Sequence, residues 1–361
     1  MSHSVKLMRI KTFLTSFTKL FRRRNMHIKR YEHNPILKPN PKNQWENLCV
    51  LNPGVIYDEE SKKFIMLYRA GGDDFEHWIR LGLAISDDGY NFKRVSDEPI
   101  MDVDENDADG GCIEDPRIVK IDGWYYITYA GKPFYPSRYW NLEDVQRRNA
   151  LREVFPPSAP ALVRNADTVT YLACTKDFKK FKRLGRITDS RYDDRDVVIF
   201  PEKINGKFVK ISRPKRDDKA PAVWITYSDD LLEWGEPTKL FSGEEIWEHD
   251  RIGAGCPPIK TDIGWLLLYH GVSGEDHYYR VGFVLLDLEN PSKILARTKD
   301  FVFEPIHDYE TQGLWTGCVF PTGMVEKDGL YYIYYGCADK YVSVATVKKD
   351  ELIEYMNSLR K

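Results

Sequence analysis

Hydrophobic and polar residues alternate in short runs along most of this chain, and one longer pattern occurs five times after about residue 50. Each copy has an apolar run that contains a proline, then a turn, then a second run that is often aromatic. The copies read LNPGVIYDEESKKFIMLYRA, EDPRIVKIDGWYYITYAG, VIFPEKINGKFVKISRP, GCPPIKTDIGWLLLYHG and CVFPTGMVEKDGLYYIYYG. Alternation with a period of two is typical of half-buried strands, so each copy predicts a pair of β-strands.

Turn signals separate these strands. An Asn-Gly or Asp-Gly pair is the strongest short-range signal for a β-hairpin. Three copies carry one, at Asp122-Gly123, Asn205-Gly206 and Asp328-Gly329. Most copies then continue into a further strand, and three of them reach a polar S/T-x-D turn, at Ser86–Asp88, Thr175–Asp177 and Ser228–Asp230. We interpret this turn as the connection between a third and a fourth strand.

Five copies of four strands with little helix predict an all-β fold, a five-bladed β-propeller. A sandwich of about eight to ten strands is the alternative, but it does not account for a proline at the same point of every copy. Because proline is tolerated at the first residue of a strand, we predict that each proline begins the inner strand of a blade. The prolines are Pro53, Pro116, Pro201, Pro257 and Pro321. The neighbouring residues expected to converge on the axis are Asn52, Glu114, Asp115, Phe200, Cys256 and Phe320.

Helical patterns are confined to three places. Residues 1–30 carry nine Lys or Arg and no acid, with apolar residues at helical spacing, and predict a basic amphipathic helix. This helix could lie on a membrane surface, act as a transit peptide, hold an oligomer together or pack on the protein's own body. An upstream start codon, with Met26 the true start, is a further reading. The propeller then covers residues 31–349, interrupted by a proline-rich insertion over 131–166 with a short helix near Asn141–Leu151, and residues 350–361 form a C-terminal helix.

Composition excludes some classes of function. The net charge of −2 argues against a protein that binds nucleic acid through a general basic surface. No apolar run approaches the roughly 18 residues that span a membrane. The six cysteines form no C-x-x-C pair and have no histidines at zinc spacing. We therefore expect reduced thiols, no metal and a cytoplasmic location.

The stretch GGCIEDPRIVK places two carboxylates and a guanidinium at the mouth of an apolar strand. Asp115 is the candidate general acid, with a pKa set by burial and by its neighbours. The structural alternative is an Asp–Arg pair that ties a turn together. Glu114 is a poor candidate for a second catalytic carboxylate, because adjacent residues of a strand point to opposite faces.

Cationic residues cluster at the same ends of the predicted blades. Arg195 precedes one strand and Arg213 ends the next, so antiparallel pairing would bring them together. His270 and Arg69 end the corresponding strands of other copies. Such a cluster suits a small oxyanion, since guanidinium groups bind phosphate with two hydrogen bonds. The alternative is pairing with Asp193, Asp194, Asp196 or Asp217, which we favour for Lys215 and Arg216.

Several motifs together resemble glycoside hydrolase family 130 over roughly Asn34 to Lys349. They are NPGVIYDEESKKFIMLYRA, GGCIEDPRIVK, DVVIFPEKINGKFVKISRP, GAGCPPIKTDIGWLLLYHGV, LLDLENPSKILART and YYIYYGCAD. The resemblance implies a five-bladed propeller. Most members are inverting β-mannoside phosphorylases, which split a β-mannoside with inorganic phosphate to give α-mannose 1-phosphate, and a minority are hydrolases. The insertion with SRYWNLEDV resembles the mannosyl-glucose phosphorylases of the family.

The resemblance also implies roles for individual residues. Asp115 matches the single catalytic acid, which protonates the leaving oxygen through the 3-hydroxyl of the mannose. The implied phosphate-binding residues are Arg195, Arg213 and His270. The implied substrate-binding residues are Asn52, Arg69, Glu114, Arg117 and Asp339. In LWTGCVFP, Gly317 stands where many members have asparagine, so a sugar contact differs there.

The leading hypothesis is therefore a glycosyltransferase-type β-mannoside phosphorylase with an oligosaccharide and inorganic phosphate as its small-molecule partners. It needs no metal or organic cofactor, and we expect a homo-oligomer. An inverting β-mannosidase on the same fold is the second hypothesis, and it predicts a second carboxylate facing the site. A non-catalytic glycan-binding propeller is the third, because a fold by itself does not determine function.

Overall fold

The computed structural model describes residues 26–104, 109–152, 158, 167–216 and 221–360. The described part of the chain is mainly β-sheet, with 21 strands and short helices, which confirms the all-β prediction. Residues 1–25, where most of the predicted N-terminal helix falls, lie outside the described residues. Its last two residues form a strand instead, β1 (Lys29–Arg30).

The strands form five antiparallel units in chain order, each called a sheet below, and one bridge joins the first two. Each unit has four strand positions, and in the fourth unit the first position is divided between two strands that pair with the same neighbour. The first unit contains β2 (Cys49–Asp58), β3 (Lys63–Gly71), β4 (Ile79–Ser86) and β5 (Lys93–Arg94). The second contains β6 (Cys112–Ile121), β7 (Trp124–Lys132), β8 (Val169–Thr175) and β9 (Lys182–Arg186). A single parallel bridge between Ile79 and Cys112 connects the two units.

The remaining three sheets repeat this order. The third contains β10 (Asp194–Ile199), β11 (Phe208–Pro214), β12 (Ala222–Ser228) and β13 (Thr238–Ser242). The fourth contains β14 (Arg251–Ala254), β15 (Ile259–Thr261), β16 (Gly264–Val272), β17 (Tyr279–Leu286) and β18 (Ile294–Arg297). The fifth contains β19 (Val319–Lys327), β20 (Leu330–Cys337), β21 (Tyr341–Lys348) and, on its outer edge, β1 from the other end of the chain.

Three α-helices lie among the described residues: α1 (Leu142–Arg152), α2 (Asp308–Thr311) and α3 (Lys349–Ser358). Two short 3₁₀ turns cover Gln44–Glu46 and Ile246–Glu248. Helix α1 confirms the short helix predicted in the insertion, and α3 confirms the C-terminal helix, whose Leu352 and Met356 are buried. Within the described part of the chain, no helix has the length and apolar character needed to cross a membrane.

The predicted turns are present. In the three Asp-Gly or Asn-Gly pairs, both residues have positive φ, as a type I′ hairpin requires. In the S/T-x-D turns, the Ser or Thr hydroxyl and the Asp carboxylate accept hydrogen bonds from backbone N–H groups of the next few residues. In the first turn, Oδ1 of Asp88 accepts the N–H of Tyr90 and that of Asn91, each over 2.8 Å. These local bonds explain why sequence alone located the turns.

The predicted place of the prolines is wrong. Pro53 and Pro116 lie inside β2 and β6, and Pro321 lies inside β19, rather than at the first residue of each strand. The strand register shifts at each of these three prolines. Pro53 and Pro116 have no ladder partner at the resulting bulges, so a residue without an N–H fits there without the loss of a hydrogen bond, whereas Pro321 pairs with Tyr335 beside its bulge. Phe200 and Cys256, which were expected to converge on the axis, belong instead to hydrophobic clusters between sheets.

The first strand of the first sheet contacts the first strands of two other sheets. Nδ2 of Asn52 in β2 donates to Oδ1 of Asp115 in β6 over 2.8 Å. On the other side, the Thr322 hydroxyl of β19 donates to the carbonyl of Pro53 over 3.0 Å. Strand β2 therefore lies between β6 and β19.

Further contacts link the remaining first strands. Nη2 of Arg117 in β6 donates to Oδ1 of Asp196 in β10 over 3.1 Å. Strand β14 lies so close to β10 that a Cβ on Gly253 would be 2.4 Å from Oδ2 of Asp196. Just after β14, a Cβ on Gly255 would be 2.8 Å from the carbonyl oxygen of Pro321 in β19. The five first strands are therefore in contact one after another, from β2 round to β19.

The hydrophobic core lies between neighbouring sheets. One cluster joins the second and third sheets through Val119, Leu172 and Val197. Another joins the fourth and fifth sheets and includes Phe283 and Tyr335. Because each sheet buries both faces in this way, the side chains between sheets are close-packed and tolerate little added volume.

Substitution of Gly54 by alanine is expected to lower the free energy of unfolding by about 1–3 kcal/mol, the usual cost of overpacking. A Cβ there would lie 2.5 Å from the carbonyl oxygen of Pro116, which is backbone and cannot rotate away. Urea denaturation measures the effect. Gly235→Ala is the matched control, because its Cβ would lie 3.6 Å from the Tyr227 carbonyl oxygen, an ordinary contact. If the two variants unfold at the same urea concentration, the close packing of β2 on β6 is contradicted.

Candidate active site

A cavity of about 230 Å³ lies at the ends of the first strands. Eight of the nine site residues predicted from the sequence line it: Asn52, Arg69, Glu114, Asp115, Arg195, Arg213, His270 and Asp339. Several lining residues were not predicted as site residues, and they include Lys132, Tyr139, Asp196, Arg251, Tyr279 and Trp315. The cavity walls therefore come from all five four-stranded units.

Asp115 lies at the bulge of β6, where its φ of 56° falls in the left-handed region. Its Oδ1 accepts hydrogen bonds from Asn52 Nδ2 over 2.8 Å and from Arg69 Nη1 over 3.0 Å. Left-handed conformations are uncommon for residues other than glycine, although Asp and Asn adopt them more readily than most. The bulge thus aims a carboxylate, held by an amide and a guanidinium, into the cavity.

The bulge also changes the position of Glu114. The same Nη1 of Arg69 lies 2.8 Å from Oε2 of Glu114 and 3.0 Å from Oδ1 of Asp115. The prediction that the two carboxylates point to opposite faces is therefore wrong, because it assumed a regular strand. Burial would raise the pKa of Glu114, but Arg69, Lys132 and Arg195 outweigh it and hold that pKa below the ordinary value.

Asp339 and Tyr139 line the same cavity as Glu114 and Asp115. The Tyr139 hydroxyl donates to Oδ2 of Asp339 over 3.1 Å. Burial raises the pKa of Asp339, and Asp115 adds to this effect while Arg69 opposes it. Nearby, Oδ1 of Asn52 is buried and has no hydrogen-bond partner among the described residues. It is therefore a candidate acceptor for a ligand hydroxyl, because an unsatisfied buried acceptor is costly.

Arg117 does not line the cavity, so its prediction as a substrate-binding residue is not supported by its position. It is buried below the cavity and is only 2% exposed. Its guanidinium donates to the carbonyl of Gly255 over 3.0 Å, to the carbonyl of Asp115 over 2.8 Å and to Oδ1 of Asp196 over 3.1 Å. All of these partners are protein groups. Arg117 therefore fixes the bulge that carries Asp115, which makes it a positioning residue.

Asp196 is the cavity residue that sequence reasoning assigned to the wrong place. The sequence analysis names it only as a possible partner of the cations, yet it lines the cavity, is 2% exposed and has the same left-handed backbone as Asn52 and Asp115, with φ of 59°. Its Oδ2 accepts Nε of Arg213 over 2.7 Å, and Arg117 binds its other oxygen. Burial would raise its pKa, but Arg213 and Arg117 outweigh burial and hold that pKa well below the ordinary value. No proline follows it, so the repeated pattern pointed instead to Phe200.

The two arginines predicted to bind phosphate are register partners on β10 and β11, as the sequence indicated. Both also have carboxylate partners. Arg195 Nη2 lies 2.9 Å from Oδ2 of Asp193, and Arg213 Nε lies 2.7 Å from Oδ2 of Asp196. The pairing with acids is therefore present for both residues, and the anion site stays a prediction. The acids hold the guanidinium groups in place and leave other N–H groups toward the cavity.

His270 lines the cavity but is not a cation. It is fully buried, and burial lowers its pKa to about 3. Neither ring nitrogen has a hydrogen-bond partner among the described residues, and Nε2 lies 3.6 Å from Oδ2 of Asp196. The predicted cationic role is therefore wrong, because burial and three nearby guanidinium groups disfavour the imidazolium more than Asp196 favours it. A neutral imidazole can still donate one hydrogen bond to an anion.

Arg251, at the start of β14, is a cavity cation that the sequence analysis missed. Its Nη1 donates to the hydroxyl of Tyr279. Among the described residues, no carboxylate lies within ion-pairing distance of it, in contrast to Arg69, Arg195 and Arg213. An arginine without an acidic partner has its full charge available to an incoming anion. The only sequence signal was its place at the start of a strand in the fourth copy.

Aromatic rings and one glycine shape the cavity wall. The Tyr279 ring centroid lies 6.0 Å from that of Trp315 and 5.6 Å from that of Phe320. Gly317 has a φ of 70°, and a Cβ on it would lie 2.2 Å from the Tyr278 ring. Asparagine therefore does not fit at this position without displacement of Tyr278. The departure noted in the sequence has a local steric cause.

Charge is distributed unevenly in the cavity. Six cationic side chains line it: Arg69, Lys132, Arg148, Arg195, Arg213 and Arg251. Four acidic side chains line it: Glu114, Asp115, Asp196 and Asp339. The balance favours a ligand with negative charge, and the hydroxyl, amide and aromatic groups suit a sugar beside it.

A family model described as β-1,4-mannooligosaccharide phosphorylase, that of glycoside hydrolase family 130, matches residues 22–151 and 163–358. The chain belongs to this family. The resemblance inferred from the motifs is thereby confirmed. Among the described residues of this family 130 member, no group of three or more His, Cys, Asp or Glu side chains is arranged to hold a metal ion.

Characterised relatives and a solved structure extend the comparison. The chain is 36% identical over 331 residues to a 1,2-β-oligomannan phosphorylase of Thermoanaerobacter sp. (strain X514), with 90% of this chain and 98% of the relative covered. It is 30% identical over 345 residues to a β-1,4-mannooligosaccharide phosphorylase of Ruminococcus albus, with 91% and 90% covered. The β-1,2-mannobiose phosphorylase of Listeria innocua, solved with β-1,2-mannobiose, superimposes with a TM-score of 0.74 at 26% identity, with 92% and 100% covered.

Proposed function

We propose that this protein is an inverting phosphorylase that cleaves β-mannosides with inorganic phosphate and releases α-mannose 1-phosphate. The observation that carries the proposal is the excess of cations in the cavity, opposite one carboxylate held by Asn52 and Arg69. A phosphorylase needs both parts, because phosphate must be bound and the leaving oxygen must be protonated. Inorganic phosphate is the co-substrate, and no organic cofactor is required.

In this mechanism Asp115 supplies a proton to the leaving oxygen as the bond from that oxygen to the anomeric carbon breaks. A phosphate oxygen attacks the opposite face of the same carbon, so the configuration inverts. Arg195, Arg213 and Arg251 would hold the phosphate, and neutral His270 would donate a hydrogen bond to it. Because phosphate already carries negative charge, it needs no catalytic base.

The hydrolase alternative is not favoured. It needs a second carboxylate free to activate water. Glu114 and Asp196 are each bound to arginines, and these cations keep both pKa values low although burial would raise them. A carboxylate whose charge is so strongly stabilised is a weak base.

We infer that the units close into the five-bladed propeller expected from the sequence. The support is the series of contacts between first strands, from β2 and β6 through β10 and β14 to β19 and back to β2. Strand β1 pairs with β21, so the two ends of the described chain complete one sheet. The homo-oligomer, the cytoplasmic location and the division of the chain at residues 30 and 349 stay predictions.

The identities favour a β-1,2 linkage in the substrate. The three relatives named for β-1,2-mannosides are 36%, 35% and 32% identical to this chain. The relative named for β-1,4-mannooligosaccharides is 30% identical, and the mannosyl-glucose phosphorylase, which the insertion resembled, is 26% identical. We therefore propose β-1,2-mannobiose and longer β-1,2-mannosides as substrates.

The test is a time course with β-1,2-mannobiose, β-1,4-mannobiose and mannosyl-glucose, each with and without phosphate, followed by phosphorus NMR. We expect α-mannose 1-phosphate only with phosphate present, and fastest from β-1,2-mannobiose. Free mannose formed equally without phosphate would identify a hydrolase. Faster turnover of β-1,4-mannobiose than of β-1,2-mannobiose would overturn only the proposed β-1,2 preference and not the phosphorylase activity.

Substitution of Arg251 by methionine is expected to raise the KM for phosphate roughly 10–100-fold, the loss of one charge-assisted hydrogen bond of about 1.5–3 kcal/mol. Thermal stability should change little, since no buried carboxylate loses a partner. Initial rates at varied phosphate and a melting curve measure both quantities. Lys239→Met, which removes an exposed cation on β13, is the control for charge. An unchanged phosphate KM would remove Arg251 from the anion site.

A further inference from the structure

A second cavity, of about 280 Å³, lies between the second and third sheets. Asp194 on β10 and Lys210 and Ser212 on β11 line this cavity, whereas the adjacent residues Arg195 and Arg213 line the active-site cavity. The two cavities therefore share two strands. Nothing in the proposed mechanism uses the residues of the second one.

The second cavity is unusual because its buried lining is polar. Lys210 is 4% exposed and Asp194 is 5% exposed. The hydroxyl residues Thr188, Ser212 and Thr226, which also line it, are buried. Elsewhere the space between these two sheets is filled by apolar side chains. The protein itself supplies hydrogen bonds to several of these groups, such as the Thr170 N–H to Oγ1 of Thr188 over 2.9 Å. A cavity with so polar a lining suits a polar ligand.

Lys210 has few partners, whereas Oδ1 of Asp194 accepts the backbone N–H of Arg213 over 2.9 Å. Nζ of Lys210 donates to the carbonyl of Ile187 and lies 4.6 Å from the centroid of the Trp234 ring. Among the described residues, no carboxylate lies within ion-pairing distance of this ammonium. Burial lowers the pKa of Lys210 to about 8, and burial raises the pKa of Asp194 to about 6. In both groups burial disfavours the charged form.

Charge distinguishes the second cavity from the active site. Its cationic lining residues are Arg186, Lys210 and Arg216, and its acidic ones are Asp189, Asp194, Glu233 and Glu236. This near balance disfavours phosphate and favours a neutral ligand. The lining offers hydrogen-bond donors, acceptors and the rings of Tyr192 and Trp234. Hydroxyl groups that both donate and accept, on a ring with apolar faces, match such a lining.

We propose that the cavity between the second and third sheets is a second carbohydrate site, in which Lys210, Asp194 and Thr226 bind the hydroxyl groups of a neutral monosaccharide unit. The choice of mannose as that unit rests on the proposed function. A ligand there would contact the same two strands that carry Arg195 and Arg213.

The experiment is a calorimetric titration of the full chain with mannose in phosphate-free buffer, where no phosphorolysis occurs. The wild type is expected to bind one more mannose per chain than Lys210→Met, which removes the ammonium and keeps most of the side-chain volume. This comparison does not depend on whether the active site itself binds mannose. Equal stoichiometry in the two proteins, each with a normal melting curve, would overturn the proposal.

A second variant tests the site if Lys210→Met does not fold. Thr226→Val conserves shape and removes one hydroxyl, and it should weaken the additional site at least tenfold. Lys239→Met on the adjacent strand, with an exposed side chain, should leave the stoichiometry at the wild-type value. A crystal soaked in mannose should hold a sugar in the second cavity, and water alone there would refute the site. Phosphorus NMR on the same wild-type sample tests phosphorolysis separately, so the two proposals can fail independently.

Discussion

Substitution of Asp115 by asparagine is expected to lower kcat for phosphorolysis about 1000-fold, within the usual range for loss of a general acid. Asparagine keeps the size of the side chain and tolerates the left-handed backbone at this position. It can still contact Asn52 and Arg69, and Arg69 keeps its ion pair with Glu114. Folding should therefore be nearly unaffected. Release of α-mannose 1-phosphate, followed by phosphorus NMR, measures the rate.

The matched control is Asp122→Asn, the same chemical change at another left-handed residue, with φ of 50° in the hairpin between β6 and β7. Asp122 lies outside the cavity, so its variant should retain wild-type activity and stability. A substrate with a good leaving group, such as an activated aryl mannoside, should lose much less activity in Asp115→Asn, because its leaving oxygen needs little protonation. Wild-type kcat in Asp115→Asn would refute the assignment of the acid.

Substitution of Arg213 by methionine is expected to have two large effects. The phosphate KM should rise about 100-fold, since a charge-assisted hydrogen bond of about 1.5–3 kcal/mol is lost. The protein should also be destabilised, because Asp196 is 2% exposed and would retain only Arg117 as an ion-pair partner at hydrogen-bonding distance. Loss of one partner of a buried ion pair costs about 3–5 kcal/mol, and the remaining arginine reduces that figure.

A double variant separates the two effects. Asp196→Asn in the Arg213→Met background removes the buried charge that lost its partner, so part of the stability should return. The phosphate KM should stay high, because the guanidinium is still absent. Initial rates and urea denaturation of the two single variants and the double variant complete the cycle. Recovery of the phosphate KM in the double variant would mean that Arg213 only neutralises Asp196 and does not bind phosphate.

Local chemistry made much of the fold and the site predictable. The Asn-Gly and Asp-Gly hairpins and the S/T-x-D turns depend on backbone conformations and hydrogen bonds within a few residues. Strand alternation then fixed which residues share a face. Arg195 and Arg213 were predicted to meet from antiparallel pairing alone, and they are register partners. Family motifs placed Asn52, Arg69 and Asp339 near Asp115, and all line one cavity.

Most of the errors share one physical cause. A period of two assumes an uninterrupted ladder, and the bulges in β6 and β10 break it. Glu114 was therefore assigned to the wrong face, and the prolines were assigned to the starts of strands. Asp196 was missed for the same reason, since it occupies a bulge without a proline. His270 was counted as a cation because burial, which lowers its pKa, is not visible in a sequence.

The sequence by itself determined the all-β class, the repeated unit of four strands, the hairpin turns and the pairing of Arg195 with Arg213, because each depends on neighbouring residues or on strand pairing. Only the tertiary structure decided which arginines are paired with carboxylates. Arg117 turns away from the cavity to fix the bulge, Asp196 holds Arg213, and Arg251 has no acidic partner in the described part of the chain. The ion pair of Arg117 with Asp196 joins two different sheets, and burial makes the pairings around Asp196 strong enough to set the charge of the site.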